Sequence, residues 1–532
     1  MVQWEIIDKQ NPWWSGSSDT RLTELLENYN GGFERKEIYV QLIAGSVHLI
    51  KGPRQSGKTT YLLKLINHIA KNNGNPPTYV LPGSKEISKF NLKAILYFSA
   101  EGQTAPQVEN TLRNFFLIHS GFEKYLIVID EITSIKEVDG PKGWASNLKK
   151  LIDEKLFARS SLILTGSDAS KLEQGARVML GRGVEGNTHY LTPLAFREYI
   201  LKIQKNSRIR RKLLEKKMGP VTEYHRSEQM LKQEEGKLEK LAGIISSQTV
   251  SLNDPIQTIF AAAAQFSGFT ELLHFLLVEY IRTGGFPEAI TTEIVEGNAE
   301  NKAKIYEKTI SGVLEKLELS DLSKETAKRI LLRILDAQGQ TISYTGIGKD
   351  VALKTTIVQK YFEALEQLQL ITVITQDAEP TKTTYLKKAY LTDPMLNHGL
   401  RIVSGELPNN VVESSLTNEK TLGQIAEAAV CNALKQHSYL PLLKETETFL
   451  HFVKKPSSEK ELDFVFTREK NPKLGVEVKY QEKINKSDIK LFEGISDYIL
   501  VTKNTFEKWS ENQIVLPAHV FLAMLPTSKA YL

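Results

Sequence analysis

Over the first two hundred positions, short apolar runs alternate with stretches whose apolar residues recur every three or four positions. That is the pattern of strands alternating with amphipathic helices. Val47 to Ile50 runs into GPRQSGKTT and then into the helical YLLKLINHIA; KAILYFSAEG is a second strand, followed by a helix from Pro106 to His119. KYLIVIDEI and SSLILTGSDAS read as two further strands, each ending in small or acidic residues. Continuous apolar strands separated by helices predict a parallel sheet covered on both faces.

The junction after the first strand carries chemistry. Gly52, Gly57, Lys58 and Thr59 have the spacing of a phosphate-binding loop, and the candidate nucleotide-binding run is Gly52, Pro53, Arg54, Gln55, Ser56, Gly57, Lys58, Thr59 and Thr60. Glycines let successive N–H groups converge on phosphate oxygens while the next helix directs its positive end at the same anion. Lys58 would reach the outer phosphates of ATP, and the Thr59 hydroxyl would help hold Mg²⁺. The strand Leu126 to Ile129 delivers Asp130 and Glu131 at its C-terminal end, where parallel sheets bind ligands. Asp130 is then a candidate Mg²⁺ ligand, direct or through water, and Glu131 the candidate base that orients the attacking water. Thr165, Gly166 and Ser167 end the next strand, and their hydroxyls suit sensing of the phosphate; a plain polar strand cap is the alternative.

Composition adds limits. The chain has 532 residues, more than one core usually serves, with 41% hydrophobic and 25% charged residues and a net charge of +5, too little over this length to argue for nucleic acid. A single cysteine, Cys431, excludes an intramolecular disulfide or a cysteine zinc cluster. No apolar run approaches ~20 residues and the first residues lack a secretion signal, so a cytoplasmic protein without membrane contact is expected. Three of the five tryptophans fall in the first forty residues, with Trp13 and Trp14 expected to pack on the body of the first domain. From Lys202 to Lys217 eight basic residues face one acidic, either a solvated helical hairpin or a basic arm for a nucleic-acid backbone.

Residues 325–395 read as a winged helix: ETAKRILLRILDAQ, ISYTGIGKDV and LKTTIVQKYFEALEQLQL are helical, and ITVITQ, the polar tip DAEPTKTT and YLKKAYLTD form a hairpin. Such an order can dock in a major groove, but Glu363 and Glu366 beside Lys354 and Lys360 leave a structural role equally open. Farther on, ELDFVF and GVEVKY alternate as strands, so Glu477 and Lys479 share a face. Paired as a hairpin, they would meet Asp463; two carboxylates could bind Mg²⁺ or Mn²⁺, with Lys479 activating water.

The combination NPWW, GPRQSGKTT, LIVIDEI, LTGS, GRGVEGNTHYLTPLAFREYI and YIRTGGFPEAI resembles archaeal and bacterial AAA-type ATPases that carry a C-terminal domain of unassigned function. The resemblance implies ATP and Mg²⁺ as cofactors and makes Arg182 a candidate arginine finger, the alternative being an arginine paired within its own domain. The spacing of Asp463, Glu477 and Lys479 resembles the PD-(D/E)XK nucleases, with Glu427 matching their helical acidic residue; Leu462 stands where those enzymes often have proline. The expected metal ligands are thus Thr59 and Asp130 at one site and Glu427, Asp463 and Glu477 at the other. The expected chain is α/β and multidomain. An N-terminal segment (1–40) packs on a P-loop AAA+ ATPase domain (41–200), followed by a helical lid with a charged insertion (201–310), a winged helix (311–405) and a C-terminal α/β restriction-endonuclease-like domain (406–532). The expected work is ATP-dependent action on DNA, with homo-oligomer formation allowed; the rivals are a nucleotide-controlled switch with a non-cleaving C-terminal domain and a winged-helix transcriptional regulator.

Overall fold

The computed structural model describes residues 2–16, 42–53, 55–76, 89–136, 143–184, 187–220, 224–296, 299–318, 322–376, 386–438, 450–455, 460–467 and 473–526. Arg54 and the expected hairpin tip at 377–384 lie outside them. The chain divides into two compact units, residues 1–192 and 193–532.

The N-terminal unit holds a five-stranded sheet of β1 (Val47–Lys51), β2 (Ile95–Ser99), β3 (Tyr125–Asp130), β4 (Ser160–Gly166) and β5 (Thr188–Tyr190), in the order β2-β3-β4-β1-β5. Every pairing is parallel. Alternate residues go to opposite faces: Leu49, Ile127 and Ile129 join one core and Ile50, Leu126 and Val128 the other, so helices cover both sides. β2 stands at the edge, where a strand leaves backbone groups unpaired. NPWW supplies partners there. The Asn11 amide donates to the Tyr97 carbonyl (2.8 Å) and accepts from the Tyr97 N–H (2.7 Å), while the Trp13 and Trp14 indoles both donate to the Ile95 carbonyl.

The C-terminal unit begins with helices. The buried Arg197 of PLAFREY donates to the carbonyls of Met524, Ile245 and Gln248, tying its helix (Phe196–Lys205) to two distant segments. Four residues of the basic run are in ion pairs: Arg210 meets Glu235, Arg211 meets Glu215 and Glu228, Lys216 meets Glu279, and Lys217 meets Glu234 and Glu271. That favours the solvated hairpin over the nucleic-acid arm. Among the described residues no single helix is long and apolar enough to cross a membrane.

In GGFPEA, Gly284 ends the helix Thr270–Thr283 with φ +69°, and the Gly285 N–H donates to Asp393 (2.7 Å). A Cβ on Gly285 would lie 2.1 Å from the Leu194 carbonyl oxygen, so only glycine fits. Helices Lys324–Asp336, Tyr344–Val351 and Thr355–Gln367 precede an antiparallel hairpin of β6 (Ile371–Gln376) and β7 (Lys387–Leu391), and Ile342 bridges to Lys387.

That hairpin does not stand alone. With β8 (Leu450–Lys454), β9 (Glu461–Phe466), β10 (Lys473–Lys479), β11 (Ile495–Thr502), β12 (Glu507–Ser510) and β13 (Gln513–Pro517) it forms one eight-stranded sheet, in the order β12-β13-β11-β10-β9-β8-β6-β7. The expected boundary between 405 and 406 therefore falls within segments that share a sheet. β6 joins β8 in parallel through Thr375 and Gln376, a long-range pairing that local periodicity does not reveal.

Candidate functional site

β1 ends where the phosphate loop begins. A Cβ on Gly52 would lie 2.4 Å from the Leu191 carbonyl oxygen, Gln55 has φ 65°, and Gly57 has φ 93° as it caps the helix Lys58–Lys71. These residues bend the chain tightly over the helix N-terminus, with Thr59 and Thr60 in its first turn. Lys58, 5% exposed, donates to the Gly52 and Pro53 carbonyls (3.0 Å each) and lies 3.5 Å from Glu131. Ser56 is fully buried, and its hydroxyl has no hydrogen-bond partner among the described residues.

Across the sheet, the Thr59 hydroxyl donates to Asp130 (2.7 Å), as do the Tyr97 hydroxyl (3.1 Å) and the Thr165 hydroxyl. Asp130 is 3% exposed and is fixed by three hydroxyls. Glu131 sits at φ 52°, a left-handed conformation uncommon for a non-glycine residue and typical of functional sites. Its carboxylate accepts from the Ser167 hydroxyl (2.8 Å) and N–H (3.2 Å), and its own N–H donates to Thr165 (3.0 Å). The strand-end hydroxyls thus hold the two acidic residues. Tyr97 is the member that sequence reasoning missed; its place one strand away, on β2, is a matter of sheet order.

The geometry fits a nucleotide with Mg²⁺. A buried unpartnered hydroxyl and a lysine whose donors rest on loop carbonyls can both turn to phosphate oxygens, and the Thr59–Asp130 pair has the chemistry of a hard-cation site. Bound Mg²⁺ would neutralise charge on the outer phosphates. Arg182 is paired within its own domain: its guanidinium is held in a two-pronged pair by Asp153 (2.7 and 3.0 Å) and donates to the Leu180 carbonyl. The pairing holds the Asp153 carboxyl below the usual range.

The second constellation also converges. β9 and β10 pair antiparallel, the Asp463 N–H donates to Glu477 (3.2 Å), Asp463 accepts from the Val478 N–H (3.0 Å), and Lys479 pairs with Glu477 (2.9 Å). Glu427 arrives on the helix Glu419–Ser438 and accepts from the Tyr390 hydroxyl (2.7 Å).

One residue was not foreseen. The Lys388 ammonium, fully buried, lies 2.7 Å from Glu461, 3.0 Å from Asp463 and 3.7 Å from Glu427. Burial works to lower its pKa, but Asp463, Glu427 and Glu461 together raise it. Burial first, then Asp463, pushes Glu427 up to about 7 and Glu477 up to about 8. Glu427, Asp463 and Glu477 do not fit the expected divalent-ion site, because Lys388 stands against Glu427 and Asp463 and Lys479 against Glu477. Among the described residues no group of three His, Cys, Asp or Glu is set to hold a metal ion.

Residues 44–200 match the family described as an AAA domain, in keeping with the phosphate loop and parallel sheet of this segment. Two families described as domains of unknown function, DUF8612 and DUF4143, match residues 274–406 and 422–521. No curated protein matches. Among solved structures, the chain is similar to a Walker-type ATPase of Pyrococcus abyssi, at 11% identity, TM-score 0.34, covering 72% of this chain and 95% of that one. It is also similar to the Orc1 protein of Aeropyrum pernix in complex with DNA, at 15% identity, TM-score 0.29, covering 76% and 92%. A RuvB mutant of Thermotoga maritima matches at 11% identity, TM-score 0.21, covering 67% and 88%.

Proposed function

We propose that the protein binds ATP with Mg²⁺ at the phosphate loop and hydrolyses it in action on DNA. One network carries the ATPase reading: Lys58 beside Glu131, Thr59 on Asp130, and Ser167 on Glu131. Lys58 binds the outer phosphates, Thr59 and Asp130 hold Mg²⁺, and Glu131, aimed by Ser167, orients the water. Lys58→Ala should lose most ATP affinity in an equilibrium binding assay. Glu131→Gln should keep that affinity and hydrolyse about 10²-fold slower or worse; parental turnover in Glu131→Gln, or undiminished binding in Lys58→Ala, would remove the assignment.

The DNA part rests on the order of helices and hairpin in 324–391, read as a winged helix, and on the helix Thr355–Gln367. Lys354, Thr355, Thr356, Gln359 and Lys360 are exposed there. Lys354→Ala and Lys360→Ala should each weaken duplex binding and lower the slope of its salt dependence by about one. An unchanged slope would assign this helix to protein contact. Arg182, held at the surface by Asp153, is proposed to act only across subunits of a homo-oligomer. Mixing Arg182→Ala with Lys58→Ala chains should then restore part of the ATPase rate.

For the C-terminal segment, Lys388 favours a non-cleaving role, an ATP-controlled switch or scaffold, over the metal-dependent nuclease. Incubation with single-stranded, duplex and branched DNA in Mg²⁺ or Mn²⁺ should yield no products. A cytoplasmic location is proposed with it, since a chain with a lone cysteine suits a reducing compartment.

A further inference from the structure

We infer that the ammonium of Lys388 is the resident cation of the Glu427, Glu461 and Asp463 carboxylates, standing where a divalent metal would bind, so that this centre is a latent metal site already filled by the protein. The inference deepens the non-cleaving reading of the C-terminal segment. It rests on the placement of β7, which alternation makes the source of two groups on one face: Lys388 reaches three carboxylates and Tyr390 reaches Glu427.

The carboxylate oxygens a metal would need are engaged. Asp463 accepts from Lys388 with one oxygen and from the Val478 N–H with the other. Glu477 is divided between Lys479 and the Asp463 N–H, and Glu461 between Lys388 and Lys454 (2.9 Å). A divalent ion binds such oxygens at ~2.0 to 2.6 Å and takes about six ligands. It would have to share the Asp463 oxygen with an ammonium already 3.0 Å away, against like charge. The Lys388 side chain has no exposure, and its ammonium lies over the Phe452 ring at 5.6 Å. Removing that one charge would leave Glu427, Glu461 and Asp463 without the cation they share, and a divalent ion drawn from solution would be the replacement.

The test is a Mn²⁺ titration of the full, nucleotide-free chain, followed by the spectrum of free Mn²⁺. Wild type and Asp463→Asn should bind Mn²⁺ alike, within twofold. Lys388→Met should gain a site at least tenfold tighter than anything in wild type, and Lys388→Met with Asp463→Asn should lose it again. Wild-type binding that Asp463→Asn abolishes would overturn the inference, as would a folded Lys388→Met that gains no site. If Lys388→Met does not fold, the comparison of wild type with Asp463→Asn still decides. DNA cleavage by wild type that survives Asp463→Asn would sink the non-cleaving reading alone and leave this inference standing.

Discussion

Asp130 shows how much of a site can hang on one carboxylate: it gathers hydroxyls from Thr59, Tyr97 and Thr165, which come from the helix after β1, from β2 and from β4. Tyr97→Phe removes one donor without changing shape. It should lower the stability of the N-terminal unit by about 1 kcal/mol, seen in urea melts, and raise the Mg²⁺ concentration needed for half-maximal ATPase. A second residue-scale prediction concerns acid. His398 is wholly buried and gives a hydrogen bond to the Ile281 carbonyl (2.8 Å); burial lowers its pKa to about 4. An unfolded histidine titrates near ~6.5, so between that value and about 4 the unfolded chain takes up a proton that the folded chain refuses. The contribution is present above that window and is lost as pH falls through it, up to about 3 kcal/mol by pH 4.5. His398→Gln should be less stable than wild type at pH 7 yet lose less on going to pH 4.5, and parallel pH profiles would refute this. At this scale the sequence is readable where chemistry is contiguous: GPRQSGKTT, Asp130-Glu131 and Ser167 each sit within a few residues of a strand end. Tyr97 and Lys388 are not readable that way. Lys388 is 75 residues from Asp463 and lies on a strand that reads as part of a wing, so its role depends on which sheet that strand joins.

Single elements carry the next set of consequences. The motif GGFPEA marked a resemblance in the sequence without suggesting a role, and its glycines turn out to be points of close approach. Gly285 donates to Asp393 and accepts from the Leu194 N–H (2.9 Å), so the end of helix Thr270–Thr283 is joined both to the start of the C-terminal unit and to the cap of helix Pro394–Val403. Gly285→Ala should destabilise by about 1–3 kcal/mol, since the Cβ meets backbone that cannot step aside. A thermal midpoint equal to wild type would show that the segment yields. The β6–β7 hairpin carries the plainest difference from expectation. Its strands were legible from alternation, but its sheet partner was not, because β6 meets β8 across more than seventy residues of chain. The two strands of the β9–β10 pair were legible because they lie close together in the chain, although β10 begins at Lys473, inside the stretch read as a loop.

On the scale of the whole molecule, two compact units lead us to expect two calorimetric transitions, of which Mg²⁺-ATP should raise only that of residues 1–192. Saturation at a hundred times Kd corresponds to about 2.7 kcal/mol; a shift of both transitions, or of neither, would argue against a nucleotide site confined to the N-terminal unit. The α/β class and the parallel sheet were legible because buried strands announce themselves as apolar runs. The extent of the eight-stranded sheet was hidden because sheet membership is a long-range property. NPWW has a further consequence for how this molecule behaves in a crowded solution. Among the described residues, the outermost strand of the N-terminal sheet is met by side chains, Asn11 and two indoles, and not by a further strand. A foreign peptide seeking to template on it finds the Tyr97 and Ile95 groups taken. Deleting residues 2–14 would reopen them and turn a guarded border into a seed for amyloid-like aggregation.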